Sequence, residues 1–103
     1  MDKRTLIVAG NWKMNMTLDA GLRLITDIKE QVAKLSNPCK VILAPPYIHL
    51  GAMKELLAGS DIEYAAQDCS THDAGAYTGE VSAEMIRSCG CTYVIIGHSE
   101  RRA

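Results

Sequence analysis

The sequence lacks a long hydrophobic run and an excess of charge of either sign. No apolar run approaches the about 20 residues that a membrane-spanning helix needs, and the run after Lys3 and Arg4 is too short for the core of a secretion signal. Eleven basic and twelve acidic residues give a net charge of −1, which offers no electrostatic basis for binding nucleic acid or an anionic membrane. With 48% hydrophobic residues among 103, we expect one globular domain in the cytoplasm.

The sequence also lacks the spacings typical of metal and nucleotide sites. Two of its cysteines form C-x-C instead of the C-x₂-C of common zinc sites, and the other two stand alone. His49 and His72 have no second ligand at metal spacing, and Gly75 and Gly79 do not fit a GxGxxG phosphate loop. We therefore expect reduced thiols, no metal and no organic cofactor.

Strand-like and helix-like segments alternate along the chain. The predicted strands are short apolar runs at Thr5–Ala9, Lys40–Ala44, Ile62–Gln67 and Thr92–Ile96. The predicted helices are Thr17–Leu35, with Thr17 as its candidate N-cap, Ile48–Ala58, and Val81–Ser88, with Ser82 or Glu80 near its start. This order predicts parallel strands joined by right-handed crossovers, and the apolar strand runs predict burial on both faces. Residues 68–80 form a longer loop than usual, which is typical of a functional segment.

Polar side chains follow the first predicted strand. In an extended chain Asn11 and Lys13 point to the same side, because side chains alternate with a period of two. A lysine in this position can bind an anionic group such as phosphate as a point charge. A solvated lysine at a strand end fits the same spacing, so the spacing alone leaves both interpretations open.

A second polar cluster follows the fourth predicted strand. His98 and Glu100 are again close in sequence, and histidine is the commonest acid or base near neutral pH. Ser99 is a candidate helix N-cap, and a helix N-terminus there favours a neutral imidazole. The alternative is a surface histidine beside an ordinary Glu-Arg pair. Ligands of parallel α/β folds bind at the carboxyl ends of the strands, so two clusters at one sheet edge favour a functional site.

Three motifs, in this order, resemble the triosephosphate isomerase family. They are GNWKMN after the first strand, AxQDxSxxxxGAYTGEVS around the long loop and YVIIGHSERR at the fourth strand. The resemblance implies an α/β fold, a (β/α)₈ TIM barrel of about 250 residues. Residues 1–103 would form the amino-terminal part of that single domain, its first half, with four parallel strands and three crossover helices. The carboxyl-terminal half lies outside this chain.

The resemblance also implies roles for individual residues. Lys13 would bind the phosphorylated substrate and stabilise developing enediolate charge, and Asn11 would help to fix the substrate. His98 would be the neutral imidazole that moves a proton between the substrate oxygens, for which this family is a known example, and Glu100 would contact the lysine. Thr78 would reach into the partner's active site in a homodimer.

The family interconverts dihydroxyacetone phosphate and D-glyceraldehyde 3-phosphate in glycolysis and gluconeogenesis, in the cytoplasm and without a metal or cofactor. This chain departs from the family pattern at Asp68, where asparagine is usual, and at Ala83, where proline is common. The family's catalytic base, a glutamate after strand six, has no match in the chain. Isomerisation needs such a base, so we expect this chain alone to be inactive.

Two other interpretations stay open at this point. In the first interpretation, the chain is an inactive truncated half-barrel that acts only as an assembly or binding module. In the second it is an unrelated flavodoxin-like α/β domain that binds a phosphorylated ligand at its strand ends. The second requires all three motifs to be coincidental.

Overall fold

A computed structural model describes residues 7–34 and 40–96 of the chain, and within them strands and helices alternate as predicted. The strands are β1 (Ile7–Asn11), β2 (Lys40–Ala44), β3 (Glu63–Ala66) and β4 (Tyr93–Val94). The helices are α1 (Leu18–Ala33), α2 (Tyr47–Leu56) and α3 (Ala83–Ser88). No helix in these two ranges is both long and apolar enough to cross a membrane.

The strands form one parallel sheet in the order β1-β2-β3-β4, which confirms the predicted α/β architecture. In the register, Asn11 lies opposite Ala44, Leu43 opposite Tyr64, and Ala66 opposite Val94. Because all strands run in one direction, their carboxyl ends lie at the same edge of the sheet. Polar residues that follow β1 and β3 are therefore brought together there.

The helices cover one face of the sheet and build the main core. Ile25 of α1 and Met53 of α2 are fully buried, and they pack in one cluster with Leu43 and Tyr64 of the central strands. On the opposite face lies a smaller apolar cluster: Ile42, Ala44 and Ala65 are buried there, with Ile95 packed against them. The central strands are thus buried on both faces, as their apolar runs predicted.

Helix caps fix where α1 and α3 begin. The Thr17 side chain accepts a hydrogen bond from the Ala20 N–H at 3.4 Å, which confirms the predicted cap of α1. The Ser82 hydroxyl accepts one from the Met85 N–H at 3.2 Å, which confirms Ser82 as the residue at the start of α3. The helix itself begins at Ala83, two residues after the predicted bound at Val81. Ala83 is therefore the first residue of a helix, the one helical position where proline is readily tolerated.

The outer strands correct two sequence predictions. β1 does not end at Ala9 as predicted, because Gly10 pairs with Leu43 and the ladder continues to Asn11. Burial on both faces was wrong for the outer strands: Ile7 and Val8 of β1 are 57% and 56% exposed, and Val94 of β4 is 40% exposed. Their composition matches that of the central strands, but among the described residues each outer strand pairs on one side only.

Candidate functional site

The segment that follows β1 carries Lys13 in an unusual backbone conformation. Lys13 has a φ of 55° and Met16 a φ of 82°, both in the left-handed region that residues other than glycine rarely adopt. Such a conformation costs about 1–3 kcal/mol per residue and persists where surrounding contacts fix it. The chain has left the extended conformation at Lys13, so the period-two argument made from the sequence fails at this residue. We call residues 12–17 the Lys13 segment.

Hydrogen bonds from neighbouring side chains hold the backbone of the Lys13 segment. The Lys13 N–H donates to Oδ1 of Asn11 at 3.0 Å, and Nδ2 of Asn15 donates to the Trp12 carbonyl at 2.7 Å. The Trp12 N–H donates to the Ala44 carbonyl at 3.1 Å and extends the β1–β2 ladder by one bond. The exposed Lys13 side chain thus begins from a fixed backbone at the carboxyl edge of the sheet.

Gln67, to which the sequence analysis gave no role, ties the Lys13 segment to the rest of the sheet. Its Nε2 donates to the carbonyl of Lys13 at 2.8 Å and to the carbonyl of Ala44, the last residue of β2, at 2.8 Å. Both amide hydrogens are therefore used to join the ends of three neighbouring strands. The sequence contained a signal for this contact, because Gln67 directly follows a strand that ends at the same edge of the sheet as Asn11.

The long loop after β3 has a defined shape stabilised by its own side chains. The Ser70 hydroxyl donates to the Glu80 carboxylate at 2.6 Å, and the rings of His72 and Tyr77 stack with their centroids 3.7 Å apart. Thr78 lies in a turn next to this stack, and residues 71–80 are all exposed. The loop therefore has an exposed tip, while its base is closed by hydrogen bonds.

Contacts at the base of the loop connect it to the edge that carries Lys13. The Ser70 N–H donates to the Val81 carbonyl at 2.8 Å, which closes the loop ends on each other. The Tyr47 hydroxyl of α2 donates to the carbonyl of Asp68 at 2.6 Å. That contact uses the backbone, so it does not depend on whether position 68 is aspartate or asparagine.

His98 and Glu100, the other predicted site residues, lie outside the described residues. Their placement relative to Lys13 is therefore still a prediction from the sequence. Lys13, Asn11 and Thr78 are described, and the structure brings Asn11 against the backbone of Lys13.

A second polar cluster lies at the opposite edge of the sheet, where the strands begin. Lys40 donates to the Tyr93 hydroxyl at 3.2 Å, and its ammonium is 3.5 Å from the Glu63 carboxylate. The Tyr93 hydrogen bond and then the Glu63 charge raise the pKa of Lys40. Residues at the amino-terminal ends of parallel strands serve stability in barrel folds, so this cluster does not belong to the candidate site.

Cys91, beside β4, is not a reactive thiol. Burial, and then the neighbouring Cys89, raise the pKa of the Cys91 thiol to about 11, so the nucleophilic thiolate is scarce at neutral pH. Cys69, Cys89 and Cys91 form no disulfide. Residues 7–34 and 40–96 contain no group of three or more His, Cys, Asp and Glu side chains placed to hold a metal ion.

The fold and the site together define a class: a parallel β/α protein with a fixed lysine at the carboxyl edge of its sheet. The family model described as "Triosephosphate isomerase" matches residues 6–103, and the chain belongs to this family. It is 49% identical over 100 residues to the triosephosphate isomerase of Bacteroides fragilis and 48% identical over 100 residues to that of Dechloromonas aromatica.

These matches cover nearly all of this chain and less than half of each relative. They span 97% of the chain, but 40% of the Bacteroides fragilis protein and 39% of the Dechloromonas aromatica protein. The triosephosphate isomerase of Porphyromonas gingivalis, 49% identical over 100 residues, is likewise covered over 40% of its length. The motifs that suggested the family from sequence therefore identified it correctly.

Proposed function

We propose that this chain supplies the lysine side of a triosephosphate isomerase active site. The protein that carries it would interconvert dihydroxyacetone phosphate and D-glyceraldehyde 3-phosphate. The observation that carries the proposal is the Lys13 segment: a cationic side chain on a left-handed backbone, fixed by Asn11 and Gln67 at the edge where ligands of parallel α/β folds bind. Strain held in place by hydrogen bonds is typical of functional sites.

The proposed chemistry is proton transfer through an enediolate. The ammonium of Lys13 would attract the phosphorylated triose and stabilise negative charge that develops on its oxygen in the transition state. His98 would donate and accept the proton that moves between the two substrate oxygens, a role carried over from the motif GHSERR. Asn11 would support the lysine because its Oδ1 accepts a hydrogen bond from the Lys13 backbone N–H.

A base must remove the proton from the substrate carbon. No residue of this chain matches the glutamate that serves as this base in the family. We therefore expect no isomerase activity from residues 1–103 alone. Activity is tested in a chimera, in which this chain is followed by the carboxyl-terminal segment of the Bacteroides fragilis relative. We call this protein the completed chimera.

Lys13→Met in the completed chimera tests the proposal. Removing the ammonium while keeping an unbranched side chain should lower kcat/KM by about 100- to 1,000-fold, the range for a lost transition-state charge contact. Lys34→Met, which removes an exposed lysine beyond the end of α1, is the matched control and should leave kcat/KM unchanged. An active chimera in which Lys13→Met behaves like the control would refute the assignment.

We further propose that the protein is a cytoplasmic homodimer of glycolysis and gluconeogenesis. The long loop after β3 supports the dimer, because its tip at Thr78 is exposed while its base is closed by hydrogen bonds. The unpaired thiols of Cys69, Cys89 and Cys91 support a reducing compartment.

Deleting residues 73–78 from the completed chimera tests the dimer. The loop tip would be lost while α3 and β4 stay in place, so the protein should sediment as a monomer in analytical ultracentrifugation. The undeleted chimera is the control. A dimer of unchanged affinity after the deletion would overturn the role of this loop.

A second candidate function is that of an assembly module. The exposed apolar side chains of the outer strands favour it, because unpaired strand edges and apolar faces bind further chain. In that case the chain would bind a complementary half without isomerase activity appearing. Measuring binding and turnover in the same mixture separates this candidate from the first.

A further inference from the structure

A buried histidine outside the predicted site touches the Lys13 segment. His49 of α2 is 0% exposed, although it carries a polar ring. Its Nε2 lies 2.8 Å from the carbonyl oxygen of Thr17. A carbonyl oxygen only accepts, so Nε2 is the donor, and the ring holds the last residue of the Lys13 segment.

The same ring also contacts the first residue of the segment. Trp12 meets His49 edge to face, with ring centroids 5.7 Å apart and an angle of 67° between the planes. This geometry is one of the two that aromatic pairs prefer. One buried ring therefore contacts both ends of a six-residue stretch, and Lys13 and Met16, the two left-handed residues, lie between these contacts.

Gly21 makes room for this arrangement. A Cβ atom at position 21 would overlap the His49 ring, so only glycine allows α1 to approach it this closely. The Gly21 N–H donates to the same Thr17 carbonyl at 2.9 Å. The Thr17 oxygen thus accepts two hydrogen bonds, one from its own helix and one from α2, which fixes the junction between the segment and α1.

We propose that His49 is a positioning residue for Lys13. It holds Trp12 through its ring and Thr17 through Nε2, and it thereby keeps the strained backbone between them in the conformation from which the ammonium projects. The inference rests on the proposed function, because the effect on turnover requires Lys13 to act on substrate. It differs from a role in core packing alone, because the contacts are directed at the two ends of the segment.

Two variants of the completed chimera separate the two contacts. His49→Phe keeps a ring beside Trp12 but removes the donor to Thr17. His49→Gln keeps an amide donor at the position of Nε2 but removes the ring. Ile48→Ala, on the same helix and 61% exposed in the described chain, is the control.

Each His49 variant should lower kcat/KM by about 10- to 100-fold, as displacement of a catalytic group by about 1 Å does. The measurement is made at a temperature at which all variants are folded. Incorporating 5-fluorotryptophan provides a second readout, in which the ¹⁹F resonance of Trp12 should move in both variants and stay in place in the control. Trp12→Leu assigns that resonance by removing it.

The outcomes distinguish this inference from the proposed function. Loss of kcat/KM together with a moved Trp12 resonance supports positioning. Variants that lower only the unfolding temperature, with kcat/KM and the resonance unchanged, overturn it. If the unsubstituted chimera is inactive, the proposed function fails, and the ¹⁹F shift alone then supports or overturns the contact with the Lys13 segment.

Should both His49 variants fail to fold, the half-buried Trp12 allows a test from the other side of the contact. Trp12→Leu should lower kcat/KM by a similar factor, about 10-fold or more. Unchanged turnover in a folded Trp12→Leu protein would overturn the proposal.

Discussion

The two central strands and the two outer strands of the sheet have similar apolar sequences and very different surroundings. In β2, Leu43 and Ala44 are 5% and 2% exposed, whereas in β1 Ile7 and Val8 are 57% and 56% exposed. Hydrogen bonding on both sides and cover on both faces bury β2 and β3. The outer strands have a partner on one side within the described residues. The burial of a strand is therefore decided by its neighbours. The apolar run shows only that burial of the strand would be favourable.

The same comparison explains why Lys13 is well fixed although it follows an outer strand. β1 is held on its inner side by β2, and the Lys13 segment continues that pairing through the Trp12 N–H. Gln67 then reaches across from the end of β3 to the Lys13 carbonyl. The site is thus fixed from the central strands, and it does not depend on the exposed side of β1.

The largest expected difference between central and outer strands lies in core truncations. Leu43→Ala should lower the free energy of unfolding by about 2–5 kcal/mol, both in the 103-residue chain and in the completed chimera. Val8→Ala should cost less than about 0.5 kcal/mol in the chain, where the side chain is exposed. In the chimera, where further strands cover β1, it should cost about 1–3 kcal/mol. Urea unfolding measures these free energies in the chain and in the chimera. An equal cost of Val8→Ala in the two proteins would contradict the difference between central and outer strands.

A smaller effect is expected where the central strands hold the site. Gln67→Met keeps the length of the side chain but removes both hydrogen bonds to the Lys13 and Ala44 carbonyls. Two lost bonds of about 1 kcal/mol each, about 2 kcal/mol together, should lower kcat/KM of the completed chimera by about 30-fold. Gln31→Met, at an exposed position of α1, is the matched control. Unchanged steady-state kinetics for Gln67→Met would mean that the Lys13 backbone is held without it.

The smallest effect concerns Cys91, at the entrance to β4. Its pKa is raised from 9.0 to about 11 in the folded chain, so the folded state holds this proton more tightly than the unfolded state. The resulting stability is fully present below pH 9.0 and is lost as the pH rises toward about 11. Partial exposure limits the loss to about 1 kcal/mol. Cys91→Ala should flatten this part of the urea-stability profile and Cys69→Ala should not; identical profiles would show that Cys91 is not buried.

The sequence predicted those features that depend on local pattern. Period and capping located α1 and its start at Thr17, the apolar runs located the strands, and the motifs identified the family. The left-handed backbone of Lys13 was missed, because one of the hydrogen bonds that hold it comes from Gln67, which is far away in sequence. The contact of His49 with both ends of the Lys13 segment was missed for the same reason: a histidine on an apolar helix face shows no partner in the sequence.

The sequence pattern also could not predict the exposure of the outer strands. An apolar run predicts burial on both faces, but the run alone does not show which other strands would cover it. This chain spans about 40% of the length of the Bacteroides fragilis protein, so the comparison covers only that part of the relative.

The most direct test of the account is complementation in trans. The 103-residue chain is mixed with the separately prepared carboxyl-terminal segment of the Bacteroides fragilis relative, and glyceraldehyde 3-phosphate turnover is followed with each component alone as the control. We expect activity only in the mixture, and we expect it to fall by about 100- to 1,000-fold when the chain carries Lys13→Met. Turnover by the isolated chain as a folded monomer, or a bound and folded mixture without turnover, would contradict the claim that this chain supplies the lysine side of the isomerase site.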